Sequence, residues 1–394
     1  MAVCPLYGLV GREMAVARGK LNLLAVYQEG GPVSGKLLRE VLASCLLCGA
    51  CEQSCAVGLV VPELIKEARA ALNAREGRTW NPALMLARLT WQAPQLIPAL
   101  ARLAPVVNRL KTWVGAESGL ALRLWPHLAA NLGRVPDLSR RPFKVRAPRF
   151  LPGRGPWKVA LFVGCGVEAL FPRVGEAFLG ICAREGIEVV IPEGQGCCGL
   201  LSESAGELEL AQALGRRVLE EFAALAVDYI VAPCASCSFQ LKRLGRVLQD
   251  TPEAARAAKV AKKVKEASEF LVQVAGYQPQ VQGRPEPVVF HDPCHLHRGQ
   301  GIIEEPRQLL KAATGVTPQE PAARVCCGLG GAFGVLYPEL SLKLGAARVQ
   351  ALRAGGAKRL VTACTGCLWQ LRHLAPDFQV NHLLEVLAPG SERE

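Results

Sequence analysis

Over residues 151–394, short apolar runs alternate with longer stretches whose hydrophobic positions recur at helical spacing. Lys158–Val163, Glu188–Pro192, Tyr229–Ala232, Pro287–Phe290 and Arg359–Ala363 read as strands. Glu168–Glu185, Ser204–Leu225, Pro306–Ala313 and Pro338–Ala354 read as helices, with Pro306 suited to a first helical position. Strand and helix in alternation imply parallel sheets, an α/β arrangement. Before residue 151 the pattern is different. The most apolar stretch, Leu84 to Ala104, is interrupted by Arg88, Arg102, Pro94 and Pro98. It predicts short helices broken by prolines, and it is too interrupted to predict a transmembrane helix.

The C-terminal region repeats itself. Cys165, Cys197-Cys198-Gly199 and Cys234-Ala-Ser-Cys237 recur as Cys294, Cys326-Cys327-Gly328 and Cys364-Thr-Gly-Cys367, at an offset of 129 or 130 residues throughout. Ten cysteines matching in order and spacing predict two homologous halves. Both place their cysteines just past strand ends, the edge of an open α/β sheet where ligands gather. Four regions follow: 1–80, a connector at 81–150, a first half at 151–280 and a second at 281–394. The fold expected is an α+β or α/β multidomain chain, helical at its N-terminus.

Composition narrows the class. The chain has 394 residues, half of them hydrophobic and 20% charged, which excludes a disordered or fibrous protein. Its 16 cysteines are too few for a disulfide scaffold, and no secretory signal opens the chain. A reducing, cytoplasmic location is expected, where clustered cysteines are more often metal ligands than disulfides. The formal charge of +12 is concentrated in 81–150, where eleven Lys/Arg face two acids, Glu117 and Asp137. Such a stripe suits an acidic partner protein or the inner face of an anionic membrane as well as plain solvent. No nucleic-acid recognition motif accompanies it.

The most specific short motif is Cys45-x2-Cys48-x2-Cys51-x3-Cys55. Its spacing matches the bacterial ferredoxin run that holds a [4Fe–4S] cluster, in which the fourth cysteine serves a different cluster. Zinc is the competing occupant, but tetrahedral zinc sites commonly use two pairs of ligands. The proline that closes the usual run is absent after Cys55 and instead follows Cys4, in Cys4-Pro5-Leu6-Tyr7. Crossed ligation then predicts one complete cubane site from Cys4, Cys45, Cys48 and Cys51. Cys55 would serve a second cubane only if the native N-terminus is longer, which is the expectation here.

Cys4-Pro5-Leu6-Tyr7, Ala17-Arg18-Gly19-Lys20, the four-cysteine run and the two Cys-Cys-Gly halves together resemble the iron–sulfur subunit of bacterial glycolate oxidase. Lactate-utilisation proteins, the cysteine-rich chain of anaerobic glycerol-3-phosphate dehydrogenase and heterodisulfide reductase catalytic subunits share the pattern. His291-Asp292-Pro293-Cys294-His295 is similar to the opening of that family's second half. The resemblance covers nearly the whole chain and is weakest in the connector. It implies a helical ferredoxin-like domain at 1–80. It also implies one or two non-cubane [4Fe–4S] clusters, held by Cys165, Cys197, Cys198, Cys234 and Cys237 and by Cys294, Cys326, Cys327, Cys364 and Cys367. In the glycolate oxidase type, the chain would relay electrons from a separate FAD-containing subunit that oxidises a 2-hydroxy acid such as glycolate or D-lactate, and would hold no flavin itself. In the heterodisulfide reductase type, the clusters would cleave a disulfide. Glycolate oxidase and lactate-utilisation chains often lack the first cysteine of the last pair, and Cys364 is present here, which draws towards the reductase branch. The run from Cys326 to Gly334 draws towards the glycerol-phosphate and lactate branches. A zinc-stabilised scaffold is the third class, and it predicts a colourless protein without iron.

Several signals carry less. Gly194-Gln195-Gly196-Cys197-Cys198-Gly199 matches G-x-G-x-x-G, but the second half drops the first glycines, so close backbone packing is the better reading. Cys182 fits no motif and is expected as a buried structural thiol. His295 and His297 flank Cys294 and are candidate proton donors or hydrogen-bonding supports for it. Trp80, Trp91, Trp113 and Trp125 either pack or meet a partner.

Overall fold

The computed structural model describes residues 3–78, 81–93, 97–109, 134, 136–281 and 285–388. The first half forms a five-stranded sheet of β1 (Phe150–Leu151), β2 (Lys158–Leu161), β3 (Glu188–Val190), β4 (Tyr229–Ala232) and β5 (Val264–Glu266) in the order β1-β3-β2-β4-β5. All neighbours are parallel except β1, which runs antiparallel along β3. The apolar runs of β2 and β4 are buried because helices cover both faces, the usual condition for parallel strands. The second half forms a parallel sheet of β6 (Val288–His291), β7 (Arg359–Thr362) and β8 (Gln379–His382). Its equivalent of β3 shrinks to one bridge between Val289 and Gln319. Pro318 precedes that bridge and has no N–H to extend a ladder.

The predicted strands are present, but two predicted helices are each broken. Glu168–Glu185 is replaced by Gly164–Ala169 and Pro172–Arg184, because Pro172 begins a new helix. Ser204–Leu225 is replaced by Leu200–Ser204 and Leu208–Phe222, with Gly206 at φ +75° between them. A β-carbon on Gly206 would lie 2.6 Å from Cβ of Arg69, so this break is also where the N-terminal region docks. Pro306 is the third residue of Glu304–Thr314, still in the first turn, where N–H groups have no intrahelical partner.

The N-terminal region is helical. Gly35–Ala43 and Val61–Glu76 pack around Leu38, Leu42, Ile65 and Leu72, a small core separate from the one under the sheets. Polar contacts bind this region to the first half. Lys66 bridges Glu63 at 2.7 Å and Glu203 at 2.8 Å, and Arg243 reaches Glu63 at 2.7 Å. Asn73 donates to the carbonyls of Ala205 and Gly206 at 3.0 and 3.1 Å.

In the connector, Pro82–Gln92 ends just before Pro94, and a new helix starts at Ile97. Lys111, Glu117, Arg123, Trp80, Trp113 and Trp125 lie outside the described residues. Part of the remaining charge is paired, at the surface for Arg146 and Arg149 and largely buried for Arg88. Arg88 pairs with Glu207, Arg146 with Glu176 and Arg149 with Glu193. Arg134 is buried and donates to the Gly334 carbonyl at 2.9 Å and to Ser341 Oγ at 2.8 Å. Arg140 and Arg141 stay exposed. Among the described residues, no helix is long and apolar enough to cross a membrane.

The last strand of each half turns directly into a helix through a capping box, Glu266 with Glu269 and His382 with Glu385. Burial pushes the Glu266 carboxyl up to about 7, although the Ser268 hydroxyl and N–H donate to it. The folded state then holds this proton where the unfolded chain has released it. Stability should fall as pH rises from the ordinary carboxylate value towards 7, by about 3 kcal/mol in total. Glu266→Gln should flatten that fall. Thermal melts of both proteins at about pH 5.5 and about pH 8 test it, and parallel slopes would refute the assignment.

Candidate metal centre

Three groups of thiols converge. In the N-terminal region, Cys45, Cys48 and Cys51 sit on a tight turn made possible by Leu47 at φ +54° and Gly49 at φ +72°. Cys4 arrives from the loop before Tyr7–Val10, within electrostatic reach of Cys45. Burial, together with Cys45, pushes its thiol up. Burial and Cys45 likewise raise Cys51 to about 11. Cys55 is set apart, with Leu59 N–H donating to its sulfur at 3.4 Å.

Two buried cations support this turn. Lys20 donates to the Val41 carbonyl at 2.7 Å and Ser44 Oγ at 2.8 Å, and Arg69 donates to the Cys45 carbonyl at 2.7 Å. Both lie within electrostatic reach of Cys45. Buried thiolates need such compensation. Arg69 falls on an ordinary amphipathic helix, so the sequence offered no signal for it.

In the first half the five predicted cysteines form a connected series. Cys197 shares hydrogen bonds with Cys165 and Cys198, Cys198 with Cys237, and Cys237 with Cys234. The hydrogen bonds hold Cys198 and Cys234 well below the usual thiol range and push Cys197 and Cys237 well above it. The second half repeats the series, from Cys294 through Cys326 and Cys327 to Cys367 and Cys364. The glycine of each Cys-Cys-Gly has a structural reason. Gly199 is at φ +85° and Gly328 at φ +90°, and their N–H groups donate to Cys197 Sγ at 3.5 Å and Cys326 Sγ at 3.4 Å. A side chain there would be strained and would disturb a donor aimed at sulfur.

The two sets meet. Cys234 Sγ lies 3.8 Å from Cys364 Sγ, and the Ala235 N–H donates to the Ala363 carbonyl at 3.0 Å. Ser236 Oγ contacts both Cys364 Sγ, at 3.2 Å, and His295 Nδ1, at 2.9 Å. At the far end, Cys48 is in electrostatic reach of Cys326 and Cys294. Arg298 ties this corner together by donating to the Cys48 carbonyl at 3.2 Å.

The histidines divide. His295 stacks on Phe239 at 4.8 Å, while His297 is buried and bonded to the Pro293 carbonyl at 3.1 Å. His291, to which the sequence pattern assigns no role, reaches the second set. One of its ring nitrogens lies within 4.8 Å of Cys327 Sγ and Cys367 Sγ. Trp91 packs against Cys197 and Cys165 and so covers the first set. Cys182 lies buried in Pro172–Arg184, outside either series. In the glycine loop, Gln195 is the anchor, its amide bonded to the Val163 N–H at 2.7 Å and the Leu161 carbonyl at 3.0 Å.

The donor sets fit iron–sulfur clusters. They are thiols throughout, four in the N-terminal region and five in each half, and in both halves a backbone N–H is aimed at sulfur.

Comparison with known proteins agrees. Residues 159–242 and 288–372 match the Cysteine-rich domain family, CCG. Over 389 residues the chain is 31% identical to the probable glycolate oxidase iron–sulfur subunit of Bacillus subtilis (strain 168), covering 94% of this chain and 85% of that protein. It is 33% identical over 240 residues to lactate utilization protein A 2 of Bacillus cereus (strain 03BB102), covering 59% of this chain and 98% of that one. Lactate utilization protein A 1 of Bacillus cereus (strain AH820) is 34% identical over 236 residues, 58% of this chain and 98% of that one. With both repeats matched and the likeness extending through the N-terminal region, the chain belongs to the cysteine-rich CCG family that includes the glycolate oxidase iron–sulfur subunit.

Proposed function

We propose that this chain is the iron–sulfur electron-transfer subunit of a flavin-dependent 2-hydroxy-acid dehydrogenase complex of the glycolate or D-lactate type. One observation carries the reading: the thiols follow one another across the molecule. They run from Cys165 through the first set, over the Cys234–Cys364 contact, and through the second set to Cys294, which lies within electrostatic reach of Cys48. Cys4, Cys45, Cys48 and Cys51 would hold a cubane [4Fe–4S] cluster, and each five-cysteine set a cluster of its own. Such clusters supply one-electron transfer at potentials set by ligation, burial and hydrogen bonds. The chain's contribution is to bring the ligand sets into contact, to exclude water with Trp91 and the buried strand ends, and to compensate thiolate charge with Lys20 and Arg69. An FAD-containing partner subunit would deliver the electrons, two per substrate molecule. Exposed Arg140 and Arg141 suit an acidic docking face or an anionic membrane surface.

A second reading, reduction of a disulfide at the junction of the halves, is favoured by the presence of Cys364 in contact with Cys234. Against it, His297 is buried and His295 is stacked on Phe239.

Anaerobically purified protein should contain roughly twelve iron and matching acid-labile sulfide per chain. Mixed with its flavin partner and a 2-hydroxy acid, it should bleach and develop the EPR signals of reduced clusters. Near-zero iron with stoichiometric zinc would overturn the reading. An EPR response to a disulfide but not to the partner and its hydroxy acid would move it to the reductase.

A further inference from the structure

The two cysteine sets repeat each other, but their surroundings do not. His291 ends β6, and the residue 129 positions earlier is Phe162, fully buried. Arg348 lies on Pro338–Arg353, and the residues 129 and 130 positions earlier are Leu219 and Val218, both buried and apolar. Where the first half presents hydrocarbon to this layer, the second presents an imidazole and a guanidinium. Both are buried, His291 at 0% exposure and Arg348 at 2%.

These two side chains are bonded. Arg348 Nε donates to His291 Nδ1 at 3.1 Å. A guanidinium has no acceptor, so Nδ1 must be the unprotonated nitrogen. In the neutral ring the proton then sits on Nε2. That N–H is buried and has no hydrogen-bond partner among the described residues, and neither does Arg348 Nη2. The imidazole meanwhile stands within 4.8 Å of Cys327 and Cys367. Arg348 is in electrostatic reach of Cys326, Cys327 and Cys367. The nearby Asp292 carboxylate is already paired with Arg307 at 2.8 Å and Arg324 at 3.4 Å. Asp292 is nonetheless the first of Arg348's charge partners, ahead of Cys327 and Cys326, and Arg348 Nη1 donates to the Ala323 carbonyl, so the Arg348 charge is shared between that carboxylate and the sulfurs.

We propose that His291, its tautomer set by Arg348, donates a hydrogen bond from Nε2 into the second five-cysteine site, so that this site has a more positive reduction potential than the first. The inference rests on the cluster reading above. Reduction adds negative charge to a site, and an N–H donor backed by a buried cation stabilises that charge. An apolar Phe162 cannot. The second set, which lies within electrostatic reach of Cys48 in the N-terminal region, becomes the preferred resting place for an electron within the pair. In this role His291 is a positioning and tuning residue rather than a ligand.

The test is an EPR-monitored redox titration of the full-length, iron-replete protein, with Cys327→Ala used to assign the second site's signal. His291→Phe, which installs the first half's residue, should retain iron and make the second site about tenfold harder to reduce, 59 mV for a one-electron couple. The first site should not move. His291→Gln, whose amide can still donate, should recover most of the shift. If His291→Phe folds poorly, Arg348→Met reads the same effect, and its second-site potential should fall as well. Iron-replete variants with unmoved potentials, or with both sites shifted equally, would overturn this inference and leave the proposed function standing. Loss of iron from the second site in both His291 variants would make His291 a ligand and overturn it too. Wild-type protein without iron would overturn the cluster reading and this inference together.

Discussion

Replacing Cys198 by Ala should remove roughly a third of the iron from the anaerobically purified chain, with the spectrum of one site lost and the others intact. The reason lies in the order of the sulfur contacts. Cys198 joins the Cys165–Cys197 end of the first series to its Cys237–Cys234 end, so its removal divides the ligand set at the middle. The second series has its own connecting thiol at the same place, and Cys327→Ala should remove a similar share with a different EPR signature. Cys182→Ser is the control. Its thiol is as buried as the others but stands outside both series, so it should cost stability through packing and leave iron unchanged. Iron and acid-labile sulfide per chain, with EPR of each variant, decide the matter. Full iron in Cys198→Ala would remove the first set from the candidate sites.

Glu203→Ala should lower the melting temperature by about 5–10 °C, the largest stability effect expected from one exchange outside the cysteines. Glu203 accepts from Lys66 at 2.8 Å and from Arg243 at 3.4 Å, and the Lys66 and Glu203 side chains are only 7% and 8% exposed. Burial opposes the carboxylate, but Lys66 and Arg243 prevail and hold it below the usual range. Without it, Lys66 and Arg243 are left in a buried place with Glu63 alone between them. Breaking one partner of a buried pair typically costs about 3–5 kcal/mol, because the stranded charge keeps its desolvation penalty. Lys66→Met combined with Glu203→Leu should recover part of the loss, since no charge is then stranded. The network joins the N-terminal helices to the first half, so limited proteolysis of Glu203→Ala should release the N-terminal region first. A melting temperature within about 1 °C of wild type, with an unchanged digest, would show that other contacts carry the docking.

The two cysteine-rich halves were legible because ligand spacing is a property of the chain itself. A repeat of ten cysteines at a constant offset survives any arrangement of the intervening helices. The strands were legible too, because parallel strands covered on both faces read as unbroken apolar runs. Helix boundaries were less so. The breaks at Pro172 and Gly206 interrupt otherwise continuous amphipathic patterns, and at Gly206 close contact with Arg69 fixes the break. Strands β5 and β8 escaped notice because each is short and carries polar residues, Lys265 and Glu266 in one, Gln379, Asn381 and His382 in the other. The basic connector read as one surface stripe. In the structure Arg88, Arg146 and Arg149 find acids up to 119 positions away, and Arg134 is buried. Charge counted along a chain does not show which charges face one another.

Sequence alone determined that two halves repeat and how their cysteines are spaced, and it set Cys55 apart from Cys45, Cys48 and Cys51. Those facts follow from local spacing, which sets what a turn can reach. Tertiary structure decided that Cys234 meets Cys364, that Cys48 approaches Cys326, and that Lys20, Arg69, His291 and Arg348 turn their polar groups towards sulfur. None of these pairs is close in sequence. Each is held by packing between separately formed elements, where buried thiols and cations find in one another the compensation that water no longer provides.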